Sequence, residues 1–270
     1  MEDIKLLTQL PKIEKPINEN QTIEQEKQEI SKFQKSAEIF GKSLLELESE
    51  FIDFKVEKLK SKIDYLLEEN FSEIGLKEKI LAARKNGFSS ITVMPTRLSN
   101  ASKFAKDKKI GLNALIAYPH GEDFTRVKVL SAKLCAKTEI SSVLTPIIPV
   151  MLNYYRIKNT ERELVKIKRA VGKKQLKAIV NANDFSQSAL TALVKLLVQT
   201  KINTVVVKIE SDDLINVKTL FNLCAGKIKI EAMGDINLKT GISLLNLGCQ
   251  KLSARFAEKL CDELITKLKA

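Results

Sequence analysis

The sequence predicts an α/β chain: a closed (β/α)8 barrel over residues 61–270, preceded by a long N-terminal α-helix. Three observations carry that expectation. After residue 61, short runs of β-branched and apolar residues alternate eight times with amphipathic helical patterns. Before it, a separate stretch holds apolar residues at heptad spacing. Hydrophobic residues make up 44 % and charged residues 29 % of the 270, which suits a folded soluble chain and not a disordered one.

Residues 1–60 differ from the remainder in charge as well as pattern. They carry ten Lys against thirteen Asp or Glu, whereas the rest carries 35 basic and 20 acidic residues. Residues 1–20, with Pro11, Pro16 and Asn18, suggest a flexible lead-in. From Ile23, the residues Ile30, Phe33, Ala37, Phe40, Leu44, Leu47, Phe51 and Phe54 form an a/d seam flanked by Lys and Glu. Gly41 weakens the helix centre by roughly 1 kcal/mol. Such a stripe over 23–54 must be buried, either on the chain's own barrel or in a coiled coil with a second copy or another protein.

Within residues 61–270 the expected strands are Ile63–Leu67, Ser90–Val93, Gly111–Ala117, Glu139–Leu144, Leu176–Val180, Thr204–Lys208, Lys227–Glu231 and Lys251–Ala254. Helical patterns fall at Leu76–Lys85, Ser99–Lys106, Phe124–Ala136, Thr160–Val171, Ser186–Gln199, Asp213–Cys224, Leu238–Leu247 and Phe256–Leu268. Thr160 before Glu163, Ser186, Asp212 or Asp213, and Asn237 look like N-caps, and Gly248 like a C′ glycine. A strand–helix alternation of this kind closes into a barrel or winds into an open doubly wound sheet. Glycine-rich dinucleotide and P-loop fingerprints are absent, which disfavours the nucleotide-binding versions of the open sheet.

Composition narrows the function classes. No apolar run reaches the roughly 18 residues of a membrane span. The start, MEDIKLLTQL, lacks the basic and apolar regions of a signal peptide. Cys135, Cys224, Cys249 and Cys261 lie far apart and His120 is the single histidine, so no metal site and no cofactor are expected. Free buried thiols fit a cytoplasmic protein. The net charge of +12 is a lysine excess: only seven of 45 basic residues are arginine, there is no Trp, and aromatics are 6 %. Nucleic-acid sites favour arginine forks and stacking aromatics, so nucleic acid is not the expected partner.

In a barrel, chemistry sits at the C-terminal strand ends. These carry Asp64, Tyr118-Pro119-His120-Gly121, Ser141 and Thr145, Asn181, Lys208, Glu231 with Gly234-Asp235, and Ser253 with Arg255. In this setting KIDYLLEENFSE, NGFSSITVMP, ALIAYPHGE and TEISSVLTPI, followed by LKAIVNAN, INTVVVKIESDD, IKIEAMGDINLKTG and LGCQKLSAR, resemble the strand segments of the deoxyribose-phosphate aldolases. The likeness runs through residues 62–270 in the family's order. It implies a TIM barrel and a retro-aldol lyase that forms a Schiff base with a sugar phosphate or a small aldehyde.

The resemblance implies roles residue by residue. The Schiff-base lysine falls on Lys208, the first-strand aspartate on Asp64 and the fifth-strand lysine on Lys177, all retained. The proton-relay aspartate falls on Ser141, the second lysine on Glu231 and the fifth-strand glutamate on Asn181. The phosphate nest is reduced to Gly234, followed by Asp235, with Ser253 and Arg255 on the last strand. Lys229 is an alternative second lysine. His120 matches a turn position and has no nucleophile nearby.

A lysine attacks a carbonyl as the free amine, which a neighbouring cation and desolvation favour. An acid in the cation's place favours the ammonium instead. The expectation is therefore a Lys208–Glu231 ion pair, a phosphate end made hostile by Glu210, Asp212 and Asp235, and a barrel that has lost the reaction. Such a chain would serve as a binding or assembly protein. The alternative is an active class I aldolase working through Lys208.

Overall fold

A computed structural model describes residues 56–105, 110–153, 156–210 and 214–269. The helix expected over 23–54, its lead-in, and the cap expected at Asp212 or Asp213 lie outside the described residues. Lys55–Ala270 makes one compact unit.

Eight parallel strands close into a barrel in sequence order, with the eighth paired to the first. This excludes the open doubly wound sheet. The first half runs β1 (Ile63–Leu67), α1 (Glu73–Lys85), β2 (Ser90–Val93), α2 (Leu98–Phe104), β3 (Gly111–Leu115), α3 (Thr125–Ala136) and β4 (Ser142–Pro146). A short helix, α4 (Pro149–Asn153), then precedes α5 (Ile157–Val171) and β5 (Gln175–Val180). The second half continues with α6 (Gln187–Gln199), β6 (Thr204–Ile209), α7 (Ile215–Cys224), β7 (Lys229–Gly234), α8 (Leu238–Asn246), β8 (Leu252–Ala254) and α9 (Ala257–Lys269).

Local chemistry explains most boundaries. Ser72, Ser186 and Asn237 cap α1, α6 and α8 by accepting from the N–H of Gly75, Ala189 and Thr240 at 3.1, 3.2 and 2.8 Å. Gly248 takes a φ of +100° just past α8, a conformation that favours glycine. Thr160 is not a cap: α5 starts three residues earlier, and its buried hydroxyl has no hydrogen-bond partner. β3 ends at Leu115 because Ala117 turns to a φ of +55°. β4 begins at Ser142, three residues later than the sequence pattern suggests.

Strand alternation divides the side chains into two cores. Ile63, Tyr65, Leu67, Ile91, Leu112, Val143 and Val205 face outward and pack in one large cluster that includes helix residues such as Ile80, Leu164, Leu193 and Leu220. Leu66, Leu115, Leu144, Ile179, Val206 and Met233 make a second cluster, a layer across the barrel interior. Two residues back along the same strands, the inward positions turn polar: Asp64, Asn113, Ser142, Lys177 and Glu231 are all buried. An apolar layer thus separates a polar floor from the barrel mouth. No helix among the described residues is long and apolar enough to cross a membrane.

Candidate active site

The mouth is built from residues that follow the apolar layer on their strands. Lys208 lies near the end of β6, and its Nζ is 2.7 Å from Glu210 Oε1. The same amine stands 5.9 Å from the centroid of the Tyr118 ring. Asn181, just past β5, donates to the other Glu210 oxygen at 2.8 Å. Both oxygens of Glu210 are therefore engaged.

Arg255 follows β8 and reaches two carboxylates. It pairs with Glu68, which directly follows β1, and with Asp235 at 2.9 Å. Burial pulls the guanidinium pKa down, but hydrogen bonds and attraction from Glu68 and Asp235 outweigh it and leave it raised. Burial pushes the Tyr118 phenol up, and the neighbouring Glu68 carboxylate adds to the rise, so the group stays neutral. Tyr118, Lys208, Glu210, Gly234, Asp235, Asn237 and Arg255 line a cavity of about 400 Å3.

Gly234 ends β7 with a φ of +139°, and a Cβ there would meet the Ile209 carbonyl oxygen at 2.5 Å. The glycine is thus required by close packing against β6.

Beneath the apolar layer is a hydrogen-bonded floor. Asp64 accepts from Ser90 and Thr92 at 2.6 Å, from Asn113 at 3.0 Å and from Ser253 at 2.7 Å. Ser142 donates to Asn113 at 2.7 Å. Lys177 Nζ donates to both oxygens of Glu231, at 2.8 and 2.7 Å.

The structure redistributes the residues singled out by sequence. Lys208 and Arg255 stand at the mouth with Gly234. Asp64, Lys177, Glu231 and Ser253 belong to the floor. The expected Lys208–Glu231 pair is not formed. Lys208 is level with Met233 in the β6–β7 register, Glu231 is level with Val206, and Lys177 and Glu210 are the partners found instead. Ser253 faces Asp64 and not the phosphate end. Ser141 precedes β4 and is exposed, because the inward position is Ser142. Lys229 is exposed at the start of β7, and His120 is exposed on the β3–α3 loop.

Glu68, Thr92 and Asn113 were not singled out by sequence reasoning. The period-2 spacing of 64, 66 and 68 was a usable signal for Glu68. Thr92 and Asn113 carried none beyond strand membership. Among the described residues, no three His, Cys, Asp or Glu come together as a metal site.

No family model matches the chain. In sequence it is similar to a deoxyribose-phosphate aldolase of Metamycoplasma hominis: 24 % identity over 179 residues, covering 63 % of this chain and 80 % of that protein. In structure it is similar to the tetrameric deoxyribose phosphate aldolase from Aeropyrum pernix. That match has a TM-score of 0.71 at 18 % identity, over 82 % of this chain and 98 % of the other. An aldolase designated QR15 superimposes with a TM-score of 0.71 at 20 % identity, over 77 % of this chain and 96 % of the other. Closed topology, strand order and these likenesses agree: the chain is a deoxyribose-phosphate aldolase-like TIM barrel.

Proposed function

We propose that this barrel no longer carries out the retro-aldol reaction of the aldolases it resembles, and acts as a binding or assembly protein. The observation that carries the reading is the pairing of Lys208 with Glu210 at 2.7 Å. Schiff-base formation requires an amine free to approach a carbonyl, and the Lys208 amine is instead engaged by the Glu210 carboxylate. A cation beside the nucleophile would help it, but Glu231 stands at that position of the resemblance and is held by Lys177 below the apolar layer. Ser141, at the relay position, is exposed outside β4 and has no carboxylate to move a proton. Assembly is assigned to the heptad stripe of 23–54, joining a second copy or another protein.

A second reading keeps Lys208 as the Schiff-base nucleophile of an active lyase on deoxyribose 5-phosphate or a small aldehyde. It is favoured by the place of Lys208, partly exposed in a cavity at the C-terminal end of the strands.

Turnover separates the two. Acetaldehyde release by the full chain, from deoxyribose 5-phosphate and from unphosphorylated 2-deoxyribose, should not exceed that of Lys208→Met. Release that depends on Lys208 would reject loss of catalysis. Deleting residues 1–54, which leaves the compact unit from Lys55 intact, should lower the number of copies per particle measured by light scattering. A full-length chain that is already monomeric and finds no partner would reject assembly through that segment.

A further inference from the structure

The charged groups at the mouth are committed to one another. Lys208 and Arg255 are met by Glu210, Glu68 and Asp235, so carboxylates outnumber cations there by one. The fork of a guanidinium matches a carboxylate or a phosphate by the same bidentate geometry. In Arg255 that fork already holds two carboxylates. Glu68 is the inner one, with its side chain 13 % exposed, and Asp235 the outer one at 60 %. Asp235 also lies on the cavity wall, directly after Gly234.

We propose that Asp235 is a tethered internal anion that fills the Arg255 subsite, so that the mouth admits uncharged carbonyl compounds and turns away phosphorylated ones. The inference rests on the reading of the Lys208 cavity as the ligand site. Two further features agree with it. The Glu68 carboxylate also stands beside the neutral Tyr118 phenol, so the inner end of the mouth already carries a negative charge that opposes an incoming anion. Asn181 and Asn237 add neutral polar groups around the same mouth. A phosphate dianion reaching Arg255 must displace Asp235 and then sit beside it. At the high effective dielectric of a half-exposed group, that repulsion alone lowers affinity about tenfold at roughly 5 Å.

Calorimetric titration of the full chain with inorganic phosphate at low ionic strength tests the subsite. Asp235→Asn should bind phosphate at least about tenfold more tightly than the unaltered chain. The double variant Asp235→Asn/Arg255→Gln should lose that gain. Equal phosphate affinity in the unaltered chain and Asp235→Asn would overturn the proposal. So would a gain that survives in the double variant, because the anion would then be bound away from Arg255. Asp235 is mostly exposed, so its substitution leaves the fold intact. Borohydride trapping at Lys208 with unphosphorylated 2-deoxyribose reports on the reaction and the titration on the subsite, so the two readings fail separately.

Discussion

Glu231→Gln removes the charge from a pair that the barrel interior cannot solvate. Lys177 donates to both oxygens of Glu231, and the two side chains are 6 and 9 % exposed. The substitution leaves an ammonium under a layer of Leu66, Leu115, Leu144, Ile179, Val206 and Met233, facing a neutral amide. Removing one partner of a buried pair costs about 3–5 kcal/mol, mostly from the charge left behind. For a domain of this size, that lowers Tm by on the order of 10 °C. Lys177→Met should cost a similar amount. Lys177→Met/Glu231→Leu should recover most of the loss, because no lone charge then remains. Urea denaturation reads the effect as a lower midpoint at constant m. A cost below about 1 kcal/mol for Glu231→Gln would refute the reasoning. A double variant as unstable as the two single changes added together would refute it as well.

Three further outcomes follow from the site and its surroundings. Asp64→Asn places an amide where four donors converge from Ser90, Thr92, Asn113 and Ser253; it should destabilise the barrel by about 2–4 kcal/mol in the same assay. Gly234→Ala puts a Cβ 2.5 Å from the Ile209 carbonyl oxygen at a φ of +139°, so its midpoint should drop; Gly172→Ala meets only the backbone strain of a φ of +61°, with open space around its Cβ, and should drop less. Burial pushes the Cys224 and Cys249 thiols up to about 12 and Cys261 up to about 11, from 9.0. Each folded-state value is above the unfolded one, so the protonated thiols stabilise the fold fully below about pH 9 and that contribution fades as pH rises toward 12. All four buried cysteines should resist a disulfide reagent at pH 8 and react once urea unfolds the chain; rapid native labelling would contradict this.

Much of the barrel was legible because its strands are short, apolar and bounded by turn residues. β1 and β2 fall where IDYLL and SITV place them. Where the run is less distinct the boundary moves. TEISSVLTP supports a strand starting at several points, and the shift of its start comes with Ser142, not Ser141, on the inner face. Thr160 has the chemistry of a cap, yet the preceding residues Ile157, Lys158 and Asn159 continue the helix. The candidate site was legible as a set of strand ends and not as a set of contacts. Lys208 and Glu231 come from adjacent strands, but register puts them on different levels. The Lys177–Glu231 pair joins strands that are not neighbours, so it depends on side-chain reach across the barrel. Glu210 was recognised as an acid near the phosphate end, whereas its grip on Lys208 depends on side-chain directions at the end of β6 that spacing does not give.

Loss of the Schiff-base reaction is tested most directly at the Lys208 amine itself. The full chain would be incubated in parallel with deoxyribose 5-phosphate and with acetaldehyde, which carries no phosphate, then reduced with borohydride and mapped by peptide mass. With Glu210 in contact with that amine, the peptide carrying Lys208 should keep its unmodified mass. A reduced adduct at Lys208, absent from Lys208→Met, would contradict the account.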